Sequence, residues 1–180
     1  KIAGEKKALL VIGHDYSSAC IAAGEIYRQN EICAMTASAT AEAVTADNEW
    51  YFRIIPGNMS QVNFIANYIR KSLKQTSASL IYDKDSYGSS LAEYFETMAK
   101  KLGIDIKGKW GFDLSAESTD ALFRKIADQT AAGTEPVFLA MHFPEAANLI
   151  QMVRDRGGKQ MMIGPDALST GFFIEALKKF

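Results

Sequence analysis

The sequence predicts an α/β fold in two lobes, each a mostly parallel sheet with helices on both faces. Two features lead there. Short apolar runs of strand type alternate with amphipathic stretches of helical length, the pattern that builds parallel sheets. One stretch, "RIIPGNMSQ" at 53–61, breaks the rhythm by placing Pro-Gly after a strand, where a crossover or linker belongs. A boundary between lobes fits there, and on pattern alone a plain loop fits equally well.

Taken in order, the strand-type runs are "ALLVIG" (8–13), "ICAMTA" (32–37), "YFRII" (51–55), "ASLIYD" (78–83), "DIKGKWGF" (105–112), "PVFLAM" (136–141) and "QMMIG" (160–164). A helix opens at Ser17 and Ser18, and a short one is expected at "AEAVT" (41–45). Val62, Ile65, Ala66, Ile69 and Leu73 share one helical stripe, as do Leu91, Phe95, Met98 and Leu102. Another helix is expected over about 118–131. The last interior one runs from Pro144 to about Arg156, with proline at its first position and "GG" just past its last turn. The chain opens on what reads as the end of a helix, "KIAGEKK", and closes inside another, "FFIEALKKF". The first lobe then holds about three strands, few for a doubly wound sheet, and the sequence looks cut from something longer.

Composition excludes several classes of function. Apolar residues make up 48% of the 180 and charged residues 23%, as in globular proteins. Twenty basic against twenty-one acidic side chains leave no electrostatic footprint for nucleic acid. No apolar run approaches the ~20 residues of a membrane helix, so no direct membrane insertion is expected. No signal peptide is visible, which fits a cytosolic chain or a mature exported one. Cys20 and Cys33 lack metal-like spacing and read as buried thiols, with a disulfide as the competing reading.

In open parallel sheets, ligands bind beyond the carboxyl ends of the strands, where helix N-termini and loop side chains converge. Polar residues stand at nearly every such end: His14 to Ser18, Ser38 and Thr40, Asp83 to Tyr87, His142, and Asp166. Catalysis finds no support. His14, Asp15 and Ser17 share one turn, where side chains diverge rather than align as a triad does, and no GxSxG, GxGxxG or P-loop is present. His14 reads as a histidine satisfied by backbone hydrogen bonds. No metal site or cofactor is expected.

Binding fits better. A helix beginning at Ser17 and Ser18 points free N–H groups and a positive dipole end at whatever lies above it. "SAT", with Ser38, Ala39 and Thr40, repeats that arrangement before the short helix, so the first lobe holds a carboxylate without any arginine. The competing reading is plain helix capping by Ser and Thr. Asp166 suits a cationic ammonium, and Tyr16, Tyr87 and Phe143 suit a wall around the rest of a ligand.

"VIGHDYSSACIAAGEIYRQNEICAMTASAT", "FRIIPGNMSQ", "LIYDKDSYGSSLAEYF" and "MIGPDAL" together resemble the type I periplasmic binding proteins. The nearest branch is the substrate-binding subunits of branched-chain amino acid ABC transporters. The resemblance implies a two-lobed receptor of extracytoplasmic location that closes on an amino acid or small carboxylate and delivers it to a membrane permease. Residues 1–57 would be part of lobe 1 plus the crossover, and 58–180 lobe 2. Ser17 and Thr40, with main-chain groups around Ser38 and Ala39, would take the ligand carboxylate. Tyr87 comes from the second lobe. Asp166 stands where relatives carry a glutamate that meets the α-ammonium. His142 stands where leucine-binding relatives carry tyrosine, and Asp15 near an apolar position, so the family's branched-chain preference is not carried over. A ligand-sensing domain of a signalling protein is the alternative, and an α/β hydrolase-type enzyme a more distant one.

Overall fold

A computed structural model of the chain describes residues 2–5, 7–114 and 119–178. The chain divides into two compact units, Lys1–Ser60 and Gln61–Phe180.

The first unit holds α1 (Ile2–Glu5), β1 (Leu10–Ile12), α2 (Ser17–Gln29), β2 (Cys33–Thr36), β3 (Tyr51–Arg53) and the start of α3 (Asn58–Asn67). Its three strands run parallel in the order β1-β2-β3. Register aligns Val11 with Ala34 and Ala34 with Tyr51. Because strand side chains alternate between faces, these three point the same way. They are buried in one core with Cys20 and Tyr27 of α2. Leu10, Ile12, Met35 and Phe52 occupy the alternate positions, and Ile12 and Phe52 are 78% and 50% exposed.

In the second unit α3 runs on into a π turn (Tyr68–Ser72). Then follow β4 (Ser77–Asp83), α4 (Ser86–Leu102), β5 (Asp105–Phe112), α5 (Thr119–Thr130), β6 (Val137–Ala140), α6 (Phe143–Asp155), β7 (Met162–Ile163) and α7 (Gly171–Ala176). The four parallel strands lie in the order β5-β4-β6-β7. All four residues of β6 are buried, as the apolar run of a strand covered on both faces requires. Residues of α3 and α4 pack with Leu80 and Phe138 in one core, and residues of α5 and α6 with Ile81 and Leu139 in the other. Successive side chains of β4 and β6 therefore feed opposite cores.

The strand order reverses at β4, which has β5 on one side and β6 on the other. In open α/β sheets that reversal parts the connections and leaves a crevice beyond the strand ends. The polar residues after β4 and β6 therefore sit at the position where such sheets bind ligands.

All seven expected strands are present, within a few residues of their expected ends. The stripe through Leu73 is α-helical only to Asn67. "AEAVT" forms only a single 3-10 turn, Glu42–Val44. The expected start of a helix at 118 lies outside the described residues, as do the final residues of "FFIEALKKF".

Candidate functional site

In the first unit the turn after β1 is built on its carbonyls. The His14 carbonyl accepts from Thr36 Oγ1 at 3.0 Å and from the Cys20 thiol at 3.2 Å. The His14 N–H donates to the Tyr51 hydroxyl at 3.1 Å, and that hydroxyl donates to the Gly13 carbonyl. The His14 ring lies with Nε2 3.0 Å from the Tyr27 hydroxyl. His14 is thus held through side chains rather than by the backbone bonds expected for its ring. Burial, with the Cys20 thiol beside it, pushes the Tyr51 phenol far up, so it stays a neutral clamp.

That clamp delivers the start of α2. Tyr16 is its N-cap residue, more than half exposed and without a side-chain capping bond. Ser17 is the first helical residue and buried. Its Oγ accepts from the Ala41 N–H at 3.2 Å, so it ties α2 to the loop after β2 instead of capping its own helix. Thr36, buried at the end of β2, accepts from the N–H groups of Ser38 (3.2 Å) and Ala39 (3.0 Å). Ser38 is exposed, and Ala39 and Thr40 are buried. Thr40 is 1% exposed, and its Oγ1 has no hydrogen-bond partner among the described residues. A buried hydroxyl left so costs about 1–3 kcal/mol unless something arrives to meet it. Ser17 is thus bonded to the peptide N–H just after Thr40, and Thr36 to those just before it.

The second unit gathers Tyr87, His142 and Asp166. Asp85 caps α4, its Oδ1 accepting from the Gly88 N–H at 2.7 Å, as Asp at an N-cap does. Its other oxygen lies 3.2 Å from His142 Nε2, at the N-cap of α6. The His142 and Tyr87 rings stack with centroids 4.8 Å apart. The Tyr87 hydroxyl donates to Asp166 Oδ1 at 2.6 Å and accepts from the Ala167 N–H at 3.4 Å. Asp166 opens a 3-10 turn after β7, and its own N–H donates to Gln61 Oε1 at 3.0 Å. Gly88 allows this assembly: a Cβ there would lie 2.3 Å from the Asp83 carbonyl oxygen and 2.7 Å from that of Ala140. Only a bare Cα lets α4 start so close above β4 and β6.

Charge in this cluster is weighted to the acid side. Burial raises the Asp83 carboxyl to about 6, and the Asp85 charge adds to the rise. Burial works against a charged His142, but the hydrogen bond and charge of Asp85, with the charges of Asp83 and Glu145, outweigh it and raise its pKa. Burial, then the Asp166 charge, pushes the Tyr87 phenol far up, so it remains a neutral donor.

Sequence reasoning missed Thr36, Arg53 and the Asp85 cap as organisers. Arg53 stands behind the polar loop and bonds its backbone. Its Nη1 donates to the carbonyls of Thr40 (3.3 Å) and Ala41 (2.9 Å). The 3-10 turn at Glu42 is too short to repeat a helix N-terminus. Among the described residues no group of three or more His, Cys, Asp or Glu is arranged to hold a metal ion.

Two parallel α/β units with polar residues at their strand ends have the architecture of type I periplasmic binding proteins. The chain belongs to the periplasmic binding protein family, whose model matches residues 1–179. An amino acid binding protein of Pseudomonas aeruginosa is 30% identical over 171 residues, 94% of this chain and 45% of that protein. A Leu/Ile/Val-binding protein homolog of Brucella abortus is 29% identical over 159 residues, 88% of this chain and 42% of that protein. A leucine binding protein of Thermotoga maritima superposes with a TM-score of 0.84 at 20% identity, over 97% of this chain and 49% of its own. A branched-chain amino acid transporter substrate binding protein of Streptococcus pneumoniae, solved with isoleucine, gives 0.81 at 19% identity, over 97% and 49%. The chain spans about half the length of the curated relatives it matches.

Proposed function

We propose that this protein is a solute-binding receptor that captures an amino acid or related small carboxylate outside the cytoplasm for an ABC-transporter permease. It binds and releases its ligand and catalyses nothing. Relatives named for binding amino acids, and a structural neighbour solved with isoleucine, support this reading. In it, Ser17, Ser38, Ala39 and Thr40 of the first unit receive the carboxylate, with Tyr16 at their margin. Asp166 of the second unit receives the ammonium, oriented by Tyr87, and His142 lies against the remainder.

The observation that carries the proposal is the Thr40 hydroxyl, buried with no partner among the described residues while the backbone on both sides of it is tied down. A carboxylate oxygen is the partner it lacks. Val has the shape of Thr without the hydroxyl, so Thr40→Val separates binding from folding. The expected outcome is at least tenfold weaker binding of leucine, by titration calorimetry on the intact protein. The ligand-free protein should become about 1 kcal/mol more stable, because an unmet buried polar group is gone. Unchanged affinity would remove Thr40 from the site.

A further inference from the structure

Arg53 ends β3, directly across from Thr36 in the parallel register. Its guanidinium donates to the Thr40 and Ala41 carbonyls. The Thr40 carbonyl belongs to the same peptide unit as the Ala41 N–H, and that N–H donates to Ser17 Oγ. Having accepted there, the Ser17 hydroxyl has its own hydrogen left to give. The order is then cation, carbonyl, peptide N–H, hydroxyl, with every donor pointing the same way.

Hydrogen bonds in series polarise one another, more so where water is excluded. A cation at the carbonyl end of a peptide draws electrons toward the oxygen and leaves the N–H more positive. Ser17, 3% exposed, then becomes a stronger donor at its free end. The Asn58 N–H adds a second donor to the Thr40 carbonyl at 2.9 Å, in the same sense.

The guanidinium is also held in place. It packs over the bare Cα of Gly57, where a Cβ would lie 2.9 Å from Arg53 Nη2 and 2.3 Å from Glu42 Oε1. Glu42 Oε1 in turn accepts from the Met59 N–H at 3.0 Å, in the first turn of α3. The loop carrying Thr40 is thereby bonded to α2 on one side and to α3 on the other.

We propose that Arg53 is a positioning residue for ligand carboxylate: without touching the ligand, it polarises the Ser17 hydroxyl through the Thr40–Ala41 peptide and fixes the loop. The proposal rests on the receptor reading above, in which Ser17 and Thr40 face a carboxylate.

The test compares leucine with leucinamide, which lacks the carboxylate charge, by titration calorimetry on the intact protein and on Arg53→Gln and Arg53→Lys. Gln keeps a planar donor and drops the charge, whereas Lys keeps the charge and loses the fork. In Arg53→Gln, leucine binding is expected to weaken at least tenfold and leucinamide binding less than threefold, so the preference for the acid collapses. Arg53→Lys should lose about threefold of that preference, less than Arg53→Gln loses. Equal weakening of both ligands, or no weakening, overturns the proposal, because a merely structural role moves both alike. If Arg53→Gln fails to fold, Arg53→Lys decides: an expected threefold loss of the preference supports the relay, and an unchanged preference overturns it. A wild-type protein that binds none of the common amino acids better than the matching amide would instead overturn the receptor reading itself.

Discussion

Asp83 ends β4 with its carboxyl buried, accepting from the Asp85 N–H at 3.2 Å. Burial and the neighbouring Asp85 raise it from 3.8 to about 6 in the folded protein. The native state thus binds this proton more tightly than the unfolded chain does. Its stabilising share is complete below the unfolded value, near 4, and is lost as pH rises through about 6. His142 acts in the same sense: its raised pKa gives stability that is whole below its unfolded value of 6.5 and fades as pH rises through its folded value. Asp83→Asn keeps an acceptor for the Asp85 N–H and removes the buried charge. It is expected to stabilise the protein by about 1 kcal/mol at pH 8 and to leave it unchanged at pH 4. Urea titrations at the two pH values check this, and an equal effect at both would show that Asp83 ionises normally.

The start of α4 has three supports: the Asp85 cap, the Tyr87 side chain and the bare Cα of Gly88. Gly88→Ala would drive a methyl against the carbonyl oxygens of Asp83 and Ala140, neither of which can move without breaking the ends of β4 and β6. The expected cost is about 2 kcal/mol, or roughly 5 °C in Tm, and on the receptor reading a larger loss of ligand affinity because Tyr87 shifts with the helix start. Thermal denaturation read beside calorimetry separates the two effects. The strands and the long helices were legible in the sequence because apolar spacing alone dictates them. The positions of Ser17 and Thr40 just past strands of the first sheet, and of Tyr87 and Asp166 just past strands of the second, were legible for the same reason. Arg53 and Thr36 were not legible. Their roles come from the pairing of β2 with β3, a register that no local pattern carries. The short helix expected at Glu42 was overread for a different reason: five residues, two of them β-branched, do not outweigh the cost of nucleating a helix.

At the scale of the whole molecule the two units differ in how well they are covered. The central strands of the second unit feed cores on both faces. In the first unit one face of the sheet packs on α2, whereas Leu10, Ile12 and Phe52 on the other remain well exposed. Such a face attracts apolar solutes and other chains. The 180-residue chain by itself is expected to enhance the fluorescence of a hydrophobic dye such as anilinonaphthalene sulfonate. A double Ile12→Thr, Phe52→Thr variant should lose more than half of that signal with little change in stability, since both side chains already contact water. An undiminished signal would locate the dye elsewhere.

Thr40 also bears on any effort to make the protein hardier. A library screened only for survival of heating would enrich valine at position 40, because the empty protein gains from losing that hydroxyl. The winners would look improved by every assay of robustness and, on the receptor reading, would hold their cargo at least tenfold more weakly.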